Sequence, residues 1–299
     1  MTSTDKTNQS ILAVIPVWNS GEDLRRCLQS LLDLQYGNIR FIVADNNSTD
    51  NIQWIVTDFK ETFKKRGTPL EYMKLDDNYS HTGAVNRALK IHYRGESYIL
   101  KMDSDIEIDD REILHKMIPF LKNHPEAGII GPKMKIPALN KNMVAIRWIK
   151  CLGTLIQKEQ AEPIEADLVN GGFLLIQAEL YKKLRYLWSE ILFYGWTELD
   201  LCERARASGY KTFFYPHATV IHKLVTWRSR SEKRTYYDLR NLLLANWKYG
   251  SACSRTANFV VLFWPRIVYW LIVRSHFNIF PIIGAVKDFI ILRKKYENE

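Results

Sequence analysis

Ile11–Leu34 reads ILAVIPVWNSGEDLRRCLQSLLDL, and this stretch decides the fold class. Ile11–Ile15 is a short apolar run of strand formers that ends at Pro16, where backbone donors stop being needed. Ser20 stands at the N-cap position, Asp23 follows three residues later, and Leu24, Leu28, Leu31 and Leu32 share one face of a helix near 21–34. The same unit repeats as Ile39–Ala44 before a helix near 50–65, Leu70–Leu75 before a helix near 83–93, and then Tyr98–Met102. Strands alternating with amphipathic helices predict a parallel sheet. Ligands of such sheets collect beyond the carboxyl ends of the strands, which sets the loops 16–20, 45–50, 76–83 and 103–107 along one edge.

From 127 to 222 the pattern is mixed. A long irregular stretch around 132–166 precedes Gly171–Gly172, an apolar run at 173–176, and helices near 178–188 and 198–208. Gly209 reads as a helix C-cap, followed by short strands at 210–215 and 218–221. Beyond 223 the composition turns aromatic and basic, which places a boundary there.

The 299 residues carry 42 Lys+Arg against 33 Asp+Glu, a formal charge of +9. Residues 1–222 hold 28 basic and 28 acidic side chains, so the whole excess sits in 223–299, with 14 basic and 5 acidic. There the charges interleave with apolar segments. Phe259–Val273 is apolar but has only 15 residues, with Pro265 and Arg266 inside it, against the ~20 needed to span a bilayer. Together with Phe277–Leu292 and the basic Arg293, Lys294 and Lys295, it predicts a helix lying in a membrane surface. That favours an anionic bilayer over nucleic acid as partner. Cys27, Cys151, Cys202 and Cys253 show no C-x-x-C spacing, which predicts reduced thiols. The polar start Thr2-Ser3-Thr4-Asp5-Lys6 lacks the apolar core of a signal peptide, so a cytoplasmic chain, peripheral on the inner face of the cell membrane, is expected.

Four places carry chemistry. Asp103-Ser104-Asp105 follows a strand directly, and both carboxylates can turn toward one hard divalent cation or form a solvated turn. Asp45 opens the polar run Asp45-Asn46-Asn47-Ser48-Thr49-Asp50, in which Thr49 or Asp50 caps the next helix. Asp45 itself sits where a carboxylate could accept the imide N–H of a pyrimidine base, and Trp18 is near enough to stack on that base or simply to pack. Glu198, at a helix start and preceded by Phe193, Tyr194 and Trp196, is a candidate general base, while Asp200 pairs with Arg204 at i,i+4. His222, closing a strand run, reads as structural or as a metal ligand.

Taken in order, these resemble glycosyltransferase family 2, in particular its rhamnosyltransferase-like members, over about residues 11–250. The likeness rests on Ile15-Pro16-Val17-Trp18-Asn19, the 45–50 run, Asn78 with Gly83 and Asn86, Asp103-Ser104-Asp105, Gly171-Gly172-Phe173, the Glu198–Tyr210 segment and His222. It implies a GT-A fold, a Rossmann-like mixed and mainly parallel sheet with flanking helices, over 1–222. The nucleotide-sugar half would cover about 11–131 and the acceptor half about 132–222, followed by a helical region at 223–299. Carried over, Pro16, Trp18, Asn19, Asp45, Asn47, Asn78, Gly83, Asn86, Asp103 and Ser104 would hold the nucleotide sugar. Asp103, Asp105 and His222 would hold Mn²⁺ or Mg²⁺. Gly171, Gly172, Trp196 and Asp200 would line the acceptor side, and Glu198 would stand where the family has its base, usually an aspartate. The family's Asn-x-Gly-Phe motif is Asn78-Tyr79-Ser80-His81 here, and Trp18 replaces a common Tyr.

The resemblance further implies inverting transfer from a nucleotide-diphosphate sugar to a lipid-linked or other glycan hydroxyl. A sugar-phosphate nucleotidyltransferase or a dinucleotide oxidoreductase would need a Gly-rich phosphate loop after the first strand, which Pro16-Val17-Trp18-Asn19-Ser20-Gly21 does not supply. A basic nucleic-acid-binding protein is the non-enzymatic alternative.

Overall fold

The computed structural model describes residues 9–150, 154–223, 232–252, 255 and 279–299. The first half runs β1 (Ile11–Val17), α1 (Gly21–Leu31), β2 (Ile39–Asp45), α2 (Ile52–Lys65), β3 (Leu70–Lys74), α3 (Ser80–His92) and β4 (Tyr98–Met102). β5 (Ile106–Glu107), α4 (Ile113–Asn123), β6 (Ala127–Ile136), β7 (Lys141–Met143), β8 (Ala145–Ile149) and β9 (Thr154–Lys158) follow. Then come β10 (Ile164–Ala166), β11 (Phe173–Gln177), α5 (Ala178–Leu184), α6 (Thr197–Ala207), β12 (Lys211–His222), α7 (Glu232–Tyr249) and α8 (Phe280–Glu297).

The main sheet has the order β10-β12-β6-β11-β4-β1-β2-β3, with β5 on β12 and β7 on β6, while β8 and β9 pair apart from it. β1 to β4 are mutually parallel and β11 is antiparallel to its neighbours β4 and β6. The chain steps from β1 outward to β3 and then returns to the other side of β1 at β4. That reversal opens a crevice between the carboxyl ends of β1 and β4, where an open α/β sheet takes its ligand.

All seven residues of β1 are buried because helices cover both faces of the sheet. Ile11, Ala13, Ile15 and Val17 pack with Leu24 and Leu28 of α1, Ile52 and Ile55 of α2, and Leu114 of α4. Leu12 and Val14 point the opposite way, into a second core with Ala84 and Ala88 of α3 and Leu199 and Ala205 of α6. The period-2 alternation thus builds a three-layer sandwich.

The structure departs from the sequence reading in four places. β1 runs through Pro16 to Val17, since Pro16 is paired with Ala44 of β2 while the β4 ladder stops at Val14. Ser20 makes no capping bond, and the first N–H of α1, from Gly21, is taken by Asp50 Oδ2 at 3.0 Å. Asp50 therefore caps the first helix rather than the second. The described residues of 132–166 form the end of β6, β7, the antiparallel pair β8 and β9, and β10. The two short strands expected at 210–221 are one strand, β12, with a bulge between Tyr215 and Thr219. Gly209, at φ +86, closes α6 as expected.

The apolar run Phe259–Val273, with Cys151 and Cys253, lies outside the described residues, and Cys27 and Cys202 are buried free thiols. Among the described residues no helix is long and apolar enough to cross a membrane. The expected Phe277–Leu292 helix is α8. It packs along α7, and its last turn enters the protein: Tyr296 is fully buried and donates a 2.6 Å hydrogen bond to Asp200.

Candidate active site

Three loops at the carboxyl ends of β1, β2 and β3 form one floor. Asn19, in the left-handed region at φ +48, donates its N–H to Ser48 Oγ at 3.1 Å and accepts the Thr49 N–H at 2.8 Å. The Asn46 side chain donates to Asn78 Oδ1 at 2.8 Å and accepts the Tyr79 N–H at 2.9 Å. Ser20 and Ser104 hydroxyls meet at 3.2 Å, joining the first loop to the Asp103–Asp105 loop.

Asp45 ends β2 and is buried, with Oδ1 on the Ser48 N–H at 2.8 Å and Oδ2 on the Tyr72 hydroxyl at 2.6 Å. Burial and the Asp45 carboxylate push the Tyr72 phenol well up, so it stays a donor. Each Asp45 oxygen keeps a lone pair for a further donor. Trp18 beside it is 53 % exposed, an open aromatic face at the floor's edge. Asn47, at φ +62, is exposed, and the stitching residue is its neighbour Asn46, which sequence reasoning passed over.

Asp103 is fixed from two sides. Its N–H donates to the Gly172 carbonyl at 2.9 Å, and its Oδ1 accepts from Lys101 Nζ at 2.6 Å. Lys101 is fully buried, and its ammonium also donates to the Gly171 carbonyl at 2.6 Å. A buried ammonium must be paired, so one lysine clamps the acidic loop to the glycine loop. Its position inside an apolar strand hid it from pattern reading.

Asp105 and His222 are 117 residues apart in sequence, yet β5 pairs with the end of β12 and sets His222 Nε2 3.0 Å from Asp105 Oδ2. The other ring nitrogen, Nδ1, is buried without a partner. A carboxylate against an imidazole with an orphaned nitrogen is a donor set that suits a divalent cation. No group of three or more His, Cys, Asp or Glu side chains able to hold a metal ion is found among the described residues, so other positions on such an ion would fall to a ligand or water.

Glu198 lies in the first turn of α6, where the Thr197 hydroxyl donates to its Oε2 at 2.9 Å. The helix is entered through Phe193, Gly195 and Trp196, all with positive φ, at +54, +73 and +63. α7 holds this turn: Asn241 donates to the carbonyls of Leu192, Tyr194 and Gly195 at 2.6, 2.7 and 3.0 Å, and Arg240 to Ile191 at 2.7 Å. The Glu198 carboxylate folds over Gly171, where a Cβ would lie 2.5 Å from its Cδ and 2.7 Å from its Cγ. Gly171 is therefore bare because the carboxylate occupies the space of a side chain. Gly171→Ala is expected to displace Glu198 and lower kcat about 100-fold with the circular dichroism spectrum unchanged, a magnitude set by a misplacement of about 1 Å.

His81, at the start of α3, faces the same ground, edge-on to the Tyr194 ring at 6.4 Å between centroids. Burial lowers its pKa and the Lys101 charge lowers it further, against the pull of Asp103, Glu198 and Asp105. An imidazole thus lies within reach of the charges of Asp103, Glu198 and Asp105, at a position that the sequence marked only as a motif departure. Two candidates turn away from this ground. Asn86 bonds the Leu187 and Trp188 backbone, at 2.7 Å to the Trp188 carbonyl, and shapes that loop. Asp200 is completely buried, with its oxygens on Arg204 at 2.8 Å, Tyr249 at 2.5 Å and Tyr296 at 2.6 Å. It cannot touch an acceptor, because its i,i+4 pairing with Arg204 turns it into the core. Gly83 is packed under Tyr79 and Arg87, and Gly172 under Met134.

The family model for Glycosyl transferase family 2 matches residues 12–185. The poly-beta-1,6-N-acetyl-D-glucosamine synthase of Staphylococcus epidermidis is 23 % identical over 180 residues, 60 % of this chain and 42 % of that one. The Staphylococcus aureus synthase is 21 % identical over 171 residues, 56 % of this chain and 40 % of that one. The chain thus spans about two fifths of these curated relatives. Among solved structures, S. aureus TarS 1–349 superposes with a TM-score of 0.61 at 17 % identity, over 94 % of this chain and 80 % of that one. The mannosyltransferase PcManGT from Pyrobaculum calidifontis, in complex with GDP-Man and Mn²⁺, gives 0.64 at 14 %, over 98 % and 83 %. These likenesses show the GT-A fold. With the family match covering more than half of its length, the chain belongs to glycosyl transferase family 2.

Proposed function

We propose that the protein transfers a sugar, with inversion, from a nucleotide-diphosphate sugar to a hydroxyl of a lipid-linked or cell-surface glycan. The observation that carries this reading is one carboxylate, Glu198, lying over Gly171 in the glycine loop that Lys101 and the Asp103 N–H tie to the acidic loop. Glu198 takes the proton of the acceptor hydroxyl as its oxygen bonds the anomeric carbon and the bond from that carbon to the diphosphate breaks. One base suffices, since no covalent glycosyl-enzyme forms. Trp18 and Asp45 hold the base, and the tied Asn19, Asn46 and Asn78 loops hold the ribose and diphosphate. A divalent cation on Asp105 and His222 would stabilise negative charge on the leaving diphosphate. Donor chemistry is supported by neighbours solved with UDP-GlcNAc and with GDP-Man, and a glycan product by the synthases above.

Attachment to an anionic bilayer is supported by α8. Phe280, Ile283, Ile290 and Ile291 are exposed and share one face with the exposed Lys287 and Lys294. Screening nucleotide sugars for Mn²⁺-dependent binding and hydrolysis tests the function. Exhaustive chelation is expected to reduce turnover at least 100-fold and Mn²⁺ to restore it, while unchanged turnover in chelator overturns the metal assignment.

A further inference from the structure

A cavity of about 890 Å³ lies beyond the site just described, between α3, the segment after α5 and the end of α8. Its walls carry Lys90, Arg185 and Lys295, all exposed and with no ion pair or side-chain hydrogen bond among the described residues. Of the other charges, Arg87 makes a two-pronged pair with Glu190, at 2.7 and 3.2 Å, and the Glu299 carboxylate accepts the Ser189 hydroxyl, which leaves its charge in place. Three cations without a partner, set against the Glu299 side chain, thus leave the hollow with a positive surplus. Arg185 also sits at φ +67, closing α5 where glycine or asparagine is the unstrained choice. A positive surplus beside the rings of Tyr181 and Tyr186 is what a phosphorylated sugar would complete.

The geometry points to this cavity as a binding site for a phosphate or diphosphate group carried by the acceptor. α3 joins the two places, because His81 begins it at the reaction centre and Lys90 lies about 14 Å further along at 1.5 Å per residue. The word acceptor rests on the transferase reading above, whereas occupancy of the cavity does not depend on turnover.

The test uses the full chain and inorganic pyrophosphate as probe, titrated calorimetrically in chelator, where Asp103 and Asp105 repel it from the donor site. Pyrophosphate is expected to bind, and the double variant Lys90→Glu, Arg185→Glu to bind it at least tenfold more weakly. Binding of the preferred donor nucleotide in Mn²⁺, unchanged within about twofold, shows that the variant is folded. Equal pyrophosphate binding by both proteins, or none by the wild type, overturns the proposal. So does co-sedimentation with phosphatidylglycerol vesicles that is lost in the double variant while pyrophosphate fails to bind, which assigns the cations to a bilayer. If no nucleotide sugar is turned over yet pyrophosphate binds through Lys90 and Arg185, the transferase reading falls and the cavity stands.

Discussion

Glu198→Gln is expected to lower the rate of transfer about 1000-fold while donor-nucleotide affinity stays within about twofold, as measured by steady-state kinetics and calorimetry on the same preparation. The amide has the shape of the carboxylate, so it can still accept the Thr197 hydroxyl and lie over Gly171. What it loses is the capacity to take a proton, and general-base catalysis contributes roughly 10²–10⁴-fold. Asp103, Asp105 and His222 are untouched by the change. Turnover near the wild-type rate in this variant would move the base elsewhere, with His81 the next group to replace.

Asp200→Ala has the largest expected effect on stability, a loss of about 3–5 kcal/mol, because removing one member of a buried ion pair leaves the others uncompensated. Arg204 and Lys248 lose their counter-charge, and the hydroxyls of Tyr249 and Tyr296 lose their acceptor. Burial alone would push the Asp200 carboxyl up, but Arg204, Lys248 and the two tyrosines outweigh it and hold it below its ordinary value. A depressed carboxyl stabilises the folded state fully above the unfolded pKa of about 4, and that contribution fades as pH falls through the folded value. Thermal melts should therefore separate wild type from variant widely at pH 7 and converge in acid. A constant gap from pH 7 down to pH 2 would show that the charge is not the source. Removing 258–299 takes away Tyr296 as well, so such a truncation disturbs the core along with any surface attachment.

The strand-and-helix alternation from Ile11 to Met102 was legible because each element is local and its apolar period is short. Asp103, Asp105, Glu198 and the Gly171–Gly172 pair were legible because polar or bare residues at strand and helix ends stand out against apolar runs. Lys101 was not, since a single lysine in a strand ordinarily points to solvent and nothing local says that its partner is a carbonyl 70 residues away. Nor was the role of Asp50, where the helix that it caps precedes it by 29 residues. The contrast between a neutral body and a basic tail was real in composition, but hydrogen bonds from Arg240, Asn241 and Tyr296 cross it. Composition reports what a segment can afford to bury, and it is silent on which surface it meets.

The stitching of the floor by Ser20 to Ser104, Asn19 to Thr49 and Asn46 to Asn78 has a thermodynamic consequence. Loops that must be ordered by their ligand subtract that ordering entropy from the affinity, whereas loops already joined to one another do not. Here the loops at three strand ends and the acidic turn are bonded into one surface before anything arrives. A ligand therefore meets a finished mould, and its affinity reflects the contacts it makes rather than the disorder it removes.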